Sequence, residues 1–444
     1  MIKVISSICS VVLLTAVTGQ AETADLNYGG WQVSGDVRMG WLDYDYGNPT
    51  GDPGINKGHI DSEGYYLVPK LSLATPHYGG LQAKMTLAGA TDFGINDEAH
   101  EPRNFVFDGT ELESFFLLQE AYVTYKSGRH EALFGRYELD TPMINKDDWY
   151  MLADTFGVAS YTNRGIDDLM LTGGYIYSMA GVWDSGANGT EFHSMPDASF
   201  VDPADKARAD HSGVLLDREM ANDRGVVYGG VRYETDRHDL QLWDYFAIDL
   251  YNTFFAQYNW LHGLAGGFDY NFGLQLIDFK EMGKLADHNT TEIDWTLYSA
   301  MFDGSFKGGF NFATGLSKYS DGPGQGATLG AWGGYPYFAN GMIFHFFEAG
   351  SLRNAASYKG QVGYDLGKLG VEGLAAYLRY TYYELDSQYS FASNGLGQDE
   401  MILTGVRLSY TADNGVYFTG TWEKVDLDHE PETDCLRLIG GVRF

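Results

Sequence analysis

Five basic residues, Arg38, Lys359, Arg379, Arg407 and Arg437, stand at polar positions of segments that alternate apolar and polar residues. Alternation at period two sends successive side chains to opposite faces of a strand. The five therefore share one face, and they lie five to nine residues from the nearest short turn. Unpaired cations away from water are costly, so such a wall needs water and counter-charges. Acids are available. The segment 138–154 carries Glu138, Asp140, Asp147, Asp148 and Asp154, and Glu120, Asp269, Glu292 and Asp294 occupy positions read as facing the same way. A basic wall opposite an acidic loop creates a transverse field that orients dipolar solutes and discriminates between ions. The plainer alternative is a set of isolated cations, each paired with a nearby acid.

Signals for bond-breaking chemistry are weak. Asp210-His211-Ser212 and Asp236-Arg237-His238-Asp239 contain the side chains of a hydrolytic triad. His193 and His211, however, fall in a long acidic stretch that suggests no buried oxyanion site. No resident cofactor is expected. The acids of 138–154 offer oxygen ligands of the kind Ca²⁺ takes, but their spacing fits no known calcium loop. With 29 basic and 60 acidic side chains the net charge is −31, which argues against a nucleic-acid partner. The two cysteines, Cys9 and Cys435, suggest neither a disulfide framework nor a metal cluster.

The elements that position these residues read as strands. Residues 1–21 form a targeting segment: Met1-Ile2-Lys3 is basic, Val4 to Val17 is mostly apolar, and Gly19-Gln20-Ala21 is a cleavage site before Glu22. The rest is expected to be one domain, 22–444. No internal apolar stretch is long enough for a membrane-spanning helix. The alternating runs are ten to twelve residues, about the length a tilted strand needs to cross a bilayer. They fall near 31–45, 64–76, 81–91, 115–126, 129–137, 155–163, 169–180, 225–235 and 239–249, then 252–263, 267–279, 292–304, 308–319, 355–366, 370–384, 399–411, 416–427 and 433–444. Eighteen is an even number, and short connections alternate with the long ones 46–63, 92–114, 138–154, 181–224 and 320–354. That pattern predicts an all-β fold, a transmembrane antiparallel β-barrel with small turns at one end and large loops at the other. Only residues 22–30 precede the first strand, leaving no room for a plug domain. Trp31, Tyr65, Tyr177, Tyr233, Tyr258, Trp260 and Tyr410 fall towards strand ends, where interfacial aromatics belong. Asp244 points to the lipid face in this register, which calls for a bulge or a subunit contact.

The last segment places Leu436, Leu438, Gly440, Val442 and Phe444 on one face. Its aromatic terminus resembles the assembly signal of bacterial outer-membrane barrels. Gly135-Arg136-Tyr137-Glu138-Leu139-Asp140-Thr141-Pro142-Met143-Ile144-Asn145, followed by Asp148, Met151-Leu152 and Thr155-Phe156, resembles the segment after the fifth strand of OprD-type porins and of the major outer membrane proteins of the campylobacter group. Gly333-Gly334-Tyr335-Pro336-Tyr337 is also similar to a loop of that family. The resemblance implies a Gram-negative outer-membrane diffusion channel for small hydrophilic solutes and ions. It further implies that 138–154 narrows the pore and that the five cations resemble a basic ladder.

The expected function is thus a porin and not an enzyme, with a cation preference from its net charge. Expected partners are outer-membrane lipid, lipopolysaccharide whose phosphates share divalent cations with the acidic loops, and two further copies in a homotrimer. The alternatives are a hydrolase with its site at the rim and an adhesin with acidic surface loops.

Overall fold

The computed structural model describes residues 30–444 except 51, 53, 56–60, 97–103, 106–107, 110–113, 147–150, 182–191, 196–223, 265–266, 289–292, 324–331, 335, 344–348 and 350. Eighteen long strands are described. They are β1 (Gln32–Asp45), β2 (Ser62–Ala74), β3 (Leu81–Ala90), β4 (Phe115–Ser127), β5 (His130–Tyr137), β6 (Thr155–Asn163), β7 (Leu169–Ala180), β8 (Val226–Glu234) and β9 (His238–Ala247). They continue as β10 (Tyr251–Leu264), β11 (Phe268–Glu281), β12 (Asp294–Phe306), β13 (Phe310–Tyr319), β14 (Ala356–Asp365), β15 (Leu374–Glu384), β16 (Glu400–Thr411), β17 (Val416–Leu427) and β18 (Thr433–Arg443). The two-residue strand His193–Ser194 adds to β7, and Asn104–Phe105 pairs with Asp108–Gly109 outside the main sheet.

Each long strand pairs antiparallel with its sequence neighbours, and β1 pairs with β18, so the sheet closes on itself. Closure removes the free edges that an open sheet would expose. The strands expected from alternation are all present, with ends moved by a few residues. No described helix is long and apolar enough to cross a membrane.

The ladder register fixes which side chains face inward. Asp36 pairs with Lys70 and Arg443, and Arg407 and Arg437 each pair with Thr421. Lys359 pairs with Thr381, while Arg379 pairs with Gln361 and Gly405. All five predicted cations occupy this inward set. They form a staircase rather than one level: Arg379 lies two residues below the rung of Lys359, and Arg407 two below that of Arg379. Asp294 pairs with Lys280 on the outward set, which corrects its inward assignment. The inward positions beside it are apolar, Trp295 and Leu297, and both are buried because loops fill the barrel there. Glu292 lies outside the described residues.

The outer surface is apolar with aromatic ends. Phe268, Tyr270, Phe302, Phe306, Phe310 and Phe312 form a ring cluster at the short-turn end. Trp41 stacks on Tyr65 towards the long-loop end, at a centroid separation of 5.9 Å. Asp244 does face outward, and the register through β8, β9 and β10 is continuous, so no bulge turns it inward. Asn252 Nδ2 donates to its carboxylate at 3.0 Å.

Candidate functional site

Two long connections turn into the barrel and build a waist. The first joins β5 to β6. Its Met143, Ile144, Met151 and Leu152 are fully buried. Gln119 Nε2 donates to Ala153 O at 3.1 Å, and the Tyr245 hydroxyl accepts from the Met143 amide at 3.4 Å. On β1, Gly40 lets Met151 approach: a Cβ there would sit 2.4 Å from Met151 Sδ. The second joins β13 to β14, and its Phe338, Ala339, Met342 and Ile343 are buried.

The two loops meet through their backbones. Ile144 forms a bridge with Gly333, and the Asn145 amide donates to Trp332 O at 2.9 Å. A Cβ on Gly334 would lie 2.3 Å from Pro142 O and from the Met143 carbonyl carbon, so only glycine allows this approach. The second loop was not expected to enter the pore. Its apolar runs, Tyr337-Phe338-Ala339 and Met342-Ile343, are the signal, because such residues need a core to pack into.

The cations and acids do not face each other as two opposed rows. Arg379 and Arg407 bond to the second loop instead. Arg379 Nη1 donates to Gly341 O at 2.5 Å and Asn340 O at 3.3 Å, and Arg407 Nη2 donates to Met342 O at 2.9 Å. Glu423, buried on the next strand β17, accepts from the Met342 and Ile343 amides at 2.6 Å each. Arg38 is held by Asp36 at 2.8 Å and reaches Met151 O at 3.4 Å. Lys359 lies beside Gly315 on the inner wall.

Among the predicted acids, Glu138 pairs with Lys70 of β2 at 2.5 Å. Asp140 accepts from Asn145 Nδ2 at 2.7 Å and borders the cavity described below. Asp154 is fully buried beside Gly181, behind the loop rather than on its pore side. Asp147 and Asp148 lie outside the described residues. The local reason is chain direction: Glu138 and Asp154 sit at the loop's two roots, next to the wall. Glu120 is inward as read and holds Lys84 at 2.8 Å and Thr86 at 2.6 Å. Asp269 is also inward, opposite Ser305.

Beneath the joined loops, towards the short-turn end, lies a cavity of about 970 Å³. Arg38, Arg232, Arg407, Arg437 and Arg443 border it, and Asp140 is the acid among its described lining residues. Arg232 and Arg443 were not picked out in the sequence. Arg232 is gripped by Asp239 through bonds of 2.8 and 3.2 Å. Arg443 lies over the Tyr417 ring at 4.3 Å, and the Tyr417 hydroxyl donates to Asp36 at 2.9 Å. Trp243 and Phe255, with Gln241 and Gln257, form another part of the lining.

The other candidates serve the scaffold or fall outside the description. His238 Nδ1 is 2.8 Å from the Tyr258 hydroxyl at a short turn, and Asp239 holds Arg232. Residues 210–212 and the targeting segment 1–21 lie outside the described residues. Among those described, no group of three or more His, Cys, Asp or Glu is arranged to hold a metal ion. Phe444 is tied to Gly35 by two main-chain bonds, of 2.8 and 3.0 Å.

Comparison with solved structures gives the same architecture. OccK9 (OpdG) of Pseudomonas aeruginosa superimposes with a TM-score of 0.72 at 17% identity, covering 93% of this chain and 98% of that one. The Pseudomonas aeruginosa structure of OpdK with vanillate gives 0.69 at 15% identity, with coverage of 93% and 98%. That of Pseudomonas aeruginosa OccK2 (OpdF) in complex with glucuronate gives 0.66 at 17% identity, again covering 93% and 98%. No curated protein matches the sequence. The model of the OprD family of outer membrane porins matches residues 121–384, well over half of the chain. A closed eighteen-strand barrel with two loops turned inward, carrying that family's sequence pattern, therefore belongs to the OprD family of outer membrane porins, channels for small solutes in the Gram-negative outer membrane.

Proposed function

We propose that this porin passes small hydrophilic solutes and ions, and that carboxylate-bearing solutes pause in the cavity beneath the waist. The observation that carries this reading is the cavity lining, in which five arginines gather around one space with a single described acid. A guanidinium presents two parallel donors to a carboxylate, a geometry that lysine lacks. Trp243 and Phe255 offer a flat apolar surface to the rest of such a solute, while Thr419, Thr421, Gln241 and Gln257 suit its hydroxyls. Vanillate and glucuronate, in the solved structures of OpdK and OccK2, are both carboxylates, which supports the reading.

Simple inorganic ions meet a different balance. With 60 acidic against 29 basic side chains, the protein concentrates cations at its mouth. Asp36 and Asp239 offset the cavity arginines they hold. The channel therefore prefers cations among small salts while retaining carboxylates by hydrogen bonding. The acidic external loops share divalent cations with lipopolysaccharide phosphates.

Planar-bilayer recording of the purified protein tests this. A KCl gradient should give a reversal potential of cationic sign. Millimolar benzoate should add brief current interruptions that benzyl alcohol at the same concentration does not. Equal interruption by both compounds would remove the carboxylate reading, and absence of channels would remove the pore itself.

A further inference from the structure

We infer that Glu423 is a positioning residue that sets the aperture, by clipping the second loop to the barrel wall. The segment Ala339–Ile343 runs along β14 to β17, and four of its carbonyls accept from side chains of that wall. Ala339 O accepts from the Ser357 hydroxyl at 3.3 Å and the Tyr383 hydroxyl at 3.2 Å. Asn340 O accepts from the Thr381 hydroxyl at 3.1 Å, and Arg379 and Arg407 take the next two carbonyls. Among the described residues, Glu423 is the wall group that receives amides of this stretch. Both oxygens of the Glu423 carboxylate are used, Oε1 by Met342 and Oε2 by Ile343.

A loop of neutral backbone bound by two guanidinium groups and one carboxylate is an arrangement with a direction. The arginines hold carbonyls and the acid holds amides, so the strand-like segment cannot slide along the wall without breaking charge-assisted bonds at both kinds of group. Glu423 is 1% exposed, and its neighbour across the ladder is Gly405. A Cβ on Gly405 would lie 3.0 Å from Glu423 Oε1 and 3.1 Å from Met342 Sδ, so the wall is cut back where the clip sits. Two steps of the basic staircase are thereby committed to the loop's carbonyls. Arg407 also borders the cavity, together with Arg38, Arg232, Arg437 and Arg443.

The inference rests on the chain's being a channel, which recordings of the wild type test separately. The variants are Glu423→Ala and Arg407→Gln, each assembled and checked for a heat-resistant barrel. Each bond to a charged group contributes roughly tenfold or more to the attached population. Both variants should therefore show frequent openings to a second, larger conductance level that is rare in the wild type. Their reversal potentials should move oppositely, towards anions for Glu423→Ala and towards cations for Arg407→Gln. A cysteine pair, Gly405→Cys with Met342→Cys, added to Glu423→Ala should restore the single level when oxidised and lose it on reduction. Opposite shifts of reversal potential with one unchanged conductance level would overturn the inference, since Glu423 would then be only a wall charge. Failure of the oxidised pair to restore the single level would overturn it as well.

Discussion

Replacing Gly334 by alanine should pry the two inward loops apart. The added Cβ would stand 2.3 Å from Pro142 O and from the Met143 carbonyl carbon, and 2.5 Å from Met143 Cα. These neighbours are backbone atoms, so no side chain can swing aside. Comfortable contact is about 3.5–4.0 Å, which requires a displacement of more than about 1 Å. Overpacking of this kind costs about 1–3 kcal/mol. What opposes separation is the Ile144–Gly333 bridge, which includes the Asn145–Trp332 bond, at about 1 kcal/mol per hydrogen bond. The strain is thus as large as the attachment, and a separated state moves from rare to common, by about tenfold for each 1.4 kcal/mol. Single-channel recording should show rapid switching between the wild-type level and a larger one. Gly360→Ala is the control, because a Cβ there meets no atom within 4 Å. A Gly334→Ala channel with one steady level of wild-type size would refute the reasoning and place the narrowest point elsewhere.

Asp140→Asn should lower the cation-to-anion permeability ratio by roughly tenfold, because a unit charge at ~6 Å in water shifts cation and anion by about 0.7 kcal/mol each, in opposite directions. The effect should shrink between 0.01 and 1 M salt as the screening length falls from about 30 to about 3 Å, and a ratio unmoved at low salt would take Asp140 off the ion path. Removing Phe444 deletes two main-chain bonds to Gly35 next to the closing β1–β18 seam. The truncated chain should give a smaller fraction of heat-modifiable, fast-migrating barrel in detergent gels, and wild-type yield would argue against that role.

The wall of the barrel was legible because its signal is local. Alternation along Phe268–Glu281 or Val416–Leu427 states which residues share a face without reference to anything distant. The inward register of Arg38, Arg379, Arg407 and Arg437 follows from it. The waist was only half legible. Non-local contacts decide where Arg379 and Arg407 donate, and nothing in the spacing of 332–343 announces that its carbonyls will meet them. Asp294 was misread for a related reason. The inside of the barrel is apolar where loops pack against it, as at Ile277, Phe279, Trp295 and Leu297, so the rule that apolar residues face outward fails there. Arg232 was not picked out, and its pairing with Asp239 on the adjoining strand is a contact that spacing along the chain does not state.

The bridge between Ile144 and Gly333 joins two connections that arise nearly 200 residues apart in the chain. Because main-chain atoms form that span, it is indifferent to most exchanges of side chain on either loop. Arginines of the lower cavity other than Arg407 can be traded, added or neutralised while the span keeps its width. A lineage carrying this brace can therefore change which molecules it admits through single substitutions on the wall, without first rebuilding the opening they pass through.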